Sequence, residues 1–334
     1  MPATLLLGTV IDFITFKALD IVTTFWILGI YYVLAAVCII FLNTVRNERV
    51  RLAAKFLIQF TFGALLSASL VFYWFSGALS ASWPIMVLLA LLMVSNEVFN
   101  QYYLKPLVQI GLYYFISFSL FALALPYAFN SLNPLLFIAA GVLSFVVVYA
   151  ATTAFAKRVA SVQYVKKQIV WVMVAIFLSM NALFVSNVIP PIPLSLREAG
   201  VYHNIERKGS AYVVRAEEES WVDAFLPGQV MHVTSANRVF VYSAIFAPLK
   251  LKTTVIHQWQ YFDETQKVWV NKDRLAFTLS GGRDEGYRGY SRKSNLAPGK
   301  WRVRMETERG QVMGRIGFTV EIVEQAPELV QSVK

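Results

Sequence analysis

Six runs of about twenty residues, almost bare of charge, constrain this chain more than any other feature: residues 21–42, 56–76, 83–103, 107–129, 134–155 and 169–189. A bilayer core about 30 Å thick takes about 20 residues of helix. Inside it each backbone amide must bond within its own segment, which leaves helices or closed barrels. Residues 1–189 are therefore expected to form a polytopic α-helical bundle of six spans. Residues 3–19, ATLLLGTVIDFITFKAL, are broken by Asp12 and Lys17. They fit an extra N-terminal interfacial helix better than a seventh crossing.

Composition agrees with the runs. The 334 residues are 57% hydrophobic and 15% charged, against about a quarter charged in soluble domains. The charge is concentrated late: residues 1–188 hold ten Lys and Arg and four Asp and Glu, while 189–334 hold twenty and sixteen. Much of the net +10 sits in short loops between apolar runs, so nucleic acid is not an expected partner. Cys38 is the one cysteine and lies in an apolar run, which excludes a disulfide framework. No His, Cys or acidic spacing suggests a metal or another cofactor.

The loops alternate. Residues 43–55 carry Arg46, Arg49, Arg51 and Lys55, residues 156–168 carry Lys157, Arg158, Lys166 and Lys167, and Lys105 lies between. Residues 77–82 and 130–134 carry no charge, and Trp74 and Trp83 flank the first of these loops. The positive-inside rule places the basic loops in the cytoplasm. Six spans then put the C-terminal third on the extracytoplasmic side. Pro190, Pro191 and Pro193 close the sixth run. They are expected to end the helix and act as a stiff juxtamembrane linker over 190–210, with LSLREAG forming one surface turn of helix.

Polar residues within spans are the first place to seek function. Glu97, Gln101 and Lys105 recur every four residues at the end of the third run, with Asn96 and Asn100 beside them, and Asn181 interrupts the sixth. On one helix face they would line a polar mouth for a transported substrate. Alternatively they snorkel at a helix end and bridge neighbouring helices.

After residue 210 the pattern changes to alternation. AYVVRAE, RVFVYSAIFA, TTVIHQWQYF, KVWVNKDRLAFTL, KWRVRMETE and MGRIGFTVEIV read as strands separated by turn signals. A hairpin around Glu308–Gln311 would turn Trp301, Val303 and Met305 one way and Arg302 and Arg304 the other. Residues 211–325 are expected to form an antiparallel, immunoglobulin-like β-sandwich, followed by a tail over 326–334.

The series NVIPPIPLSLREAGVYHNI, VIHQWQYFD and GGRDEGYRGYS through GRIGFTV resembles an uncharacterised family of bacterial inner-membrane proteins. In that family a multi-pass N-terminal half precedes a C-terminal β domain of unknown function. The resemblance implies an envelope protein of a Gram-negative bacterium and supplies no activity and no catalytic residues.

No nucleophile elbow accompanies the three histidines. His257 and Trp259 share a strand face, which suits a satisfied, half-buried histidine beside a core tryptophan better than a ligand. The stretch SGGRDEGYRGYSRKS brings together Arg283, Tyr287, Arg288, Tyr290, Arg292 and Lys293. Guanidinium forks and flat phenol rings suit an anionic lipid, an acidic glycan or a partner's acidic patch; a solvated hairpin loop is the other reading. The acidic run that opens at Glu217 is a possible partner in cis. The whole points to a non-enzymatic protein whose bundle, set in the lipid bilayer, positions a periplasmic domain against an envelope protein partner, a second copy, an anionic lipid or a glycan. Transport or lipid handling through the bundle is the alternative.

Overall fold

The computed structural model describes residues 21–76, 79–99, 101–191, 194–209, 211–217, 229–234, 238–247, 252–280 and 287–334. The interfacial helix expected over 3–19, and Asn100, Pro193 and Arg283, lie outside the described residues. The chain divides into two compact units that meet in sequence at residues 192 and 193.

The first unit is helical: α1 Ile21–Thr44, α2 Glu48–Ser76, α3 Leu79–Val98, α4 Pro106–Phe129, α5 Pro134–Ala156 and α6 Ala160–Val185. Five of these, all but α3, are long and apolar enough to cross a membrane. The apolar part of α3 is the shorter stretch Ser82–Val98, and Pro84 lies inside the helix. The third run thus does not continue as one helix to residue 103. It stops at Val98, makes a 3-10 turn over Tyr102–Leu104, and passes through extended Lys105 into α4. Pro106 explains the break, because proline disfavours helical geometry in the residue before it.

The helix α4 packs against α1, α5 and α6. A Cβ added at Gly141 of α5 would come within 2.6 Å of Phe118 on α4 and 2.8 Å of Phe177 on α6. A small residue here is what lets three aromatic-rich helices meet. Amide side chains join other helices. Asn43 donates to Gln109 Oε1 at 2.8 Å, and Asn96 donates to the carbonyl of Gln59 at 2.9 Å. The helix α6 stops at Val185, where Asn187 turns left-handed with φ 58° and Val188 N–H bonds back to Leu183. The asparagine, not the prolines beyond it, ends this helix.

The second unit holds eleven strands among the described residues: β1 Ser195–Tyr202, β2 Asn204–Lys208, β3 Ala211–Ala216, β4 Gln229–Val233, β5 Arg238–Phe246, β6 Lys252–Asp263, β7 Val268–Ser280, β8 Tyr287–Ser294, β9 Gly299–Thr307, β10 Val312–Ile322 and β11 Val330–Val333. They form three sheets, ordered β1-β5-β8, β4-β10-β9-β6-β7 and β11-β3-β2. Every pair is antiparallel except β4 with β10, which is parallel.

A two-sheet, wholly antiparallel sandwich beginning at residue 211 does not describe this unit. The expected linker carries β1 and β2, and LSLREAG enters a strand rather than a turn of helix. The expected tail supplies β11. The reason lies in β5, which is buried on both faces. Its Phe240, Tyr242 and Ala244 pack with Tyr202, Ile205, Tyr212 and Val214, while Ser243 on the other face bonds His257 of β6. The β1-β5-β8 sheet is therefore a middle layer and needs cover on both sides. The β9–β10 hairpin forms as expected, turning at Gly310 with φ 83°, and Trp301, Val303 and Met305 are buried.

Candidate functional site

The β domain contains a cavity of about 470 Å³ where strands from all three sheets converge. Its polar wall is Glu198 and Tyr202 of β1, Glu217 just beyond β3, Gln229 of β4, and Ser332 and Lys334 at β11. The small side chains of Ala199, Gly200 and Ala216 leave the space open. Lys334 Nζ donates to Glu198 Oε1 at 2.5 Å, and its backbone pairs with Tyr212.

Glu217 is the best-held group on that wall. Its Oε1 accepts from His203 Nε2 at 2.8 Å and from the backbone N–H of His232, also at 2.8 Å. Its Oε2 accepts from His232 Nδ1 at 2.6 Å. His203 sits at the bend between β1 and β2, and His232 lies on β4 opposite Glu321 of β10. Burial opposes the charge on Glu217, but the bonds from His232 and His203 outweigh it and hold the carboxyl below its ordinary pKa. The Glu217 bond in turn raises His232 against its own desolvation, with the Glu217 and Glu321 charges adding to the rise. A carboxylate fixed at three points offers an oriented acceptor to a ligand without first reorganising.

His257 is wholly buried and joins two sheets. Its Nε2 meets Ser243 Oγ at 2.9 Å, its Nδ1 meets Ser291 Oγ at 2.8 Å, and Trp259 Nε1 donates to the same Ser291 at 3.0 Å. Burial pushes its pKa down to about 3, so the ring is neutral. It is a satisfied interior histidine, more deeply buried than the half-buried residue the strand pattern suggests.

The basic cluster is divided. Residues 287–294 are a strand, not a loop, and alternation sends its side chains to opposite faces. Lys293 bonds Asp273 of β7 and lies 5.7 Å from the Trp301 ring, on the side of Ser291. Tyr290 faces the other way, edge-on to Tyr212 and beside Phe240. Arg288 and Arg292 share its side by alternation, and Arg292 is exposed. Tyr287 is half-buried at the strand's start.

The membrane residues do not share one helix face. Glu97 is half-buried near the end of α3, whereas Gln101 and Lys105 are exposed beyond it, and the Lys105 ammonium lies 4.8 Å over the Tyr102 ring. Asn181 donates to Phe177 O of its own helix at 2.8 Å. A cleft of about 540 Å³ among α3, α4 and α6 has walls such as Leu92, Leu107, Phe115 and Ile176, and none of these polar residues lines it.

Five helices of crossing length joined to a mixed β domain are the parts of a polytopic membrane protein. The family described as a protein of unknown function (DUF2914) matches residues 252–320, from β6 through most of β10. No curated protein matches the sequence. Among solved structures, a β-glucosidase from Listeria innocua in complex with gluconolactone is similar over 35% of this chain, at 12% identity and a TM-score of 0.21. The chain spans 17% of that enzyme's length. The Pseudomonas fluorescens alkylpurine DNA glycosylase AlkC, bound to DNA containing an abasic site analog, is similar over 91% of this chain and 83% of its own. Its identity is 13% and its TM-score 0.24. At these TM-scores neither likeness defines a shared fold.

Proposed function

We propose that this chain is a membrane-anchored binding protein of the bacterial inner membrane. Its helices hold the chain in the bilayer, and its β domain, on the periplasmic side, recognises an envelope partner. One observation carries the reading: the cavity walled by Glu198, Glu217, Gln229, Tyr202 and Ser332, whose charged groups are already paired within the fold. Its volume lies within the range of ligand pockets, about 300–1,000 Å³. Paired carboxylates, an amide and hydroxyls suit a hydroxyl-rich ligand, and in an envelope that is a glycan. The group that the residue pattern put forward, Arg288 to Lys293, is spread over two faces of β8 and plays no part in this wall.

The experiment is a binding titration of the full chain in mild detergent with soluble envelope saccharides. Ala216→Phe fills the cavity from its wall and is expected to weaken binding by about 100-fold or more, as loss of a whole pocket implies. Glu217→Gln keeps the shape but loses the charge, and is expected to weaken binding about ten-fold. Saccharide affinity unchanged by Ala216→Phe would remove the cavity from consideration.

A further inference from the structure

The outer face of the five-stranded sheet carries arginines that its own carboxylates do not balance. With Trp301, Val303 and Met305 of β9 turned inward, Arg302 and Arg304 stand on the outer face. The register sets Arg304 directly opposite Arg315 of β10 on one side and Gln258 of β6 on the other, and Gln258 in turn faces Arg274 of β7. Like charges directly opposite one another in an antiparallel pair are destabilising, so the pairing of Arg304 with Arg315 asks for a reason.

The local carboxylates do not supply it. Glu306 accepts from Arg304 Nη2 at 3.0 Å, but Arg304 Nε is buried without an acceptor. Arg315 is exposed and has no ion pair among the described residues. Arg302 is held in place by its neighbours: Nε donates to Gln260 Oε1 at 2.6 Å, and the guanidinium lies 4.1 Å from the centre of the Trp269 ring. Burial first, and then the charges of Arg304 and Arg315, pull its pKa down to about 10. Across from Arg302 stands Gly317, where an added Cβ would meet only a carbonyl at 3.8 Å. No side chain lies within 4 Å of that point on β10.

We propose that this face binds a phosphate-type oxyanion at Arg302, Arg304 and Arg315. A single guanidinium fork satisfies a carboxylate, whereas three neighbouring guanidinium groups match a multiply charged tetrahedral anion. The anion offsets the repulsion between Arg304 and Arg315 by placing negative charge beside both guanidinium groups. All of these residues lie within 252–320, the segment the family matches. The phosphate can belong to a lipid headgroup or to a soluble phosphate compound. The site does not depend on what the cavity holds.

The test uses the full chain in phosphatidylcholine nanodiscs, with β-domain unfolding followed by heating. Inorganic phosphate is titrated in one arm, and phosphatidylglycerol replaces part of the nanodisc lipid in the other. The wild type is expected to be stabilised in at least one arm. Arg315→Gln, at an exposed residue that the fold does not use, should require about ten-fold more phosphate, or show no gain from phosphatidylglycerol. Arg315→Lys, which keeps the charge without the fork, should fall between. A response to phosphatidylglycerol alone identifies a headgroup, and a response to phosphate alone identifies a soluble ligand; either supports the site. Stabilisation equal in wild type and Arg315→Gln, or absent in both arms, overturns it. Ala216→Phe should leave the response intact, which separates this site from the cavity.

Discussion

At the scale of single residues, two histidines of the β domain titrate in opposite directions. His257 is buried neutral, with a folded pKa near 3 against an ordinary value of 6.5. A pKa lowered by folding means that the unfolded chain binds the proton first. The stability it permits is therefore complete above pH 6.5 and lost as pH falls toward 3, by up to about 1.4 kcal/mol per pH unit. His232 is raised above 6.5 by Glu217, so its contribution is present below pH 6.5 and lost as pH rises through the raised value. Glu217, lowered from 4.5, adds stability that disappears only as pH falls below that value. The β domain should accordingly lose stability on both sides of mildly acidic pH. In a pH series of β-domain unfolding, His257→Gln should flatten the slope below pH 6.5, and Glu217→Gln should flatten the loss above it. A wild-type profile flat from pH 4 to 8 would contradict both assignments. The Glu217 site was not legible before folding, because β2 lies in the stretch expected to be a linker. The β2–β3 hairpin pairs Asn204 with Arg215, which brings His203 beside Glu217. His232 was not legible, because it arrives through the parallel β4–β10 pair, whose register no tight turn sets.

At the scale of elements, five of the six apolar runs fall on helices long enough to cross a membrane and the third does not, while mixed patterns concealed strands. The strands β3, β5, β6, β7, β9 and β10 lie where segments rich in Val, Ile, Phe, Tyr and Trp were expected to form strands. The strand β1, SLREAGVY, places Arg197, Glu198 and Gly200 between its apolar residues and so resembles a linker. The strand β8, YRGYSRKS, resembles a loop because its buried positions hold glycine and serine. There Ser291 is needed for His257, and an added Cβ at Gly289 would come within 2.7 Å of Phe277. In the helical unit a single small residue has the larger consequence. Gly141 lies against Phe118 and Phe177, and the Tyr114 hydroxyl donates to its carbonyl at 3.3 Å. Gly141→Leu would drive a side chain into both rings and is expected to cost about 1–3 kcal/mol by overpacking. Val142→Leu on the exposed face of the same helix should be neutral. Unfolding of the full chain in mixed detergent micelles measures both, and equal midpoints would show that α4, α5 and α6 do not depend on this contact.

At the scale of the whole molecule, sidedness turns on α3. If α3 crosses, the chain makes six passes, and the basic segments at Arg46–Lys55, Lys105 and Lys157–Lys167 fall on one side. The β domain then lies on the other. If α3 only enters the bilayer and returns, parity changes after residue 98. The bare α4–α5 loop would then share a side with Arg46 and Arg49, while Lys157, Arg158, Lys166 and Lys167 would be outside with Lys105. That arrangement opposes the positive-inside bias at five residues. The whole helix α3 has 20 residues, about 30 Å at 1.5 Å per residue, enough to cross a hydrocarbon core of that thickness. Crossing is therefore the expected outcome. Alkaline phosphatase, active only outside the cytoplasm, distinguishes the two when fused after Asn130, after Lys167 and after Lys334. Six passes require activity at Asn130 and Lys334 and none at Lys167. The pattern reversed at all three, with a fourth fusion after Asn47 still inactive, would show that α3 does not cross, whereas activity at Asn47 would mean that the whole chain is inverted; either would place the β domain in the cytoplasm.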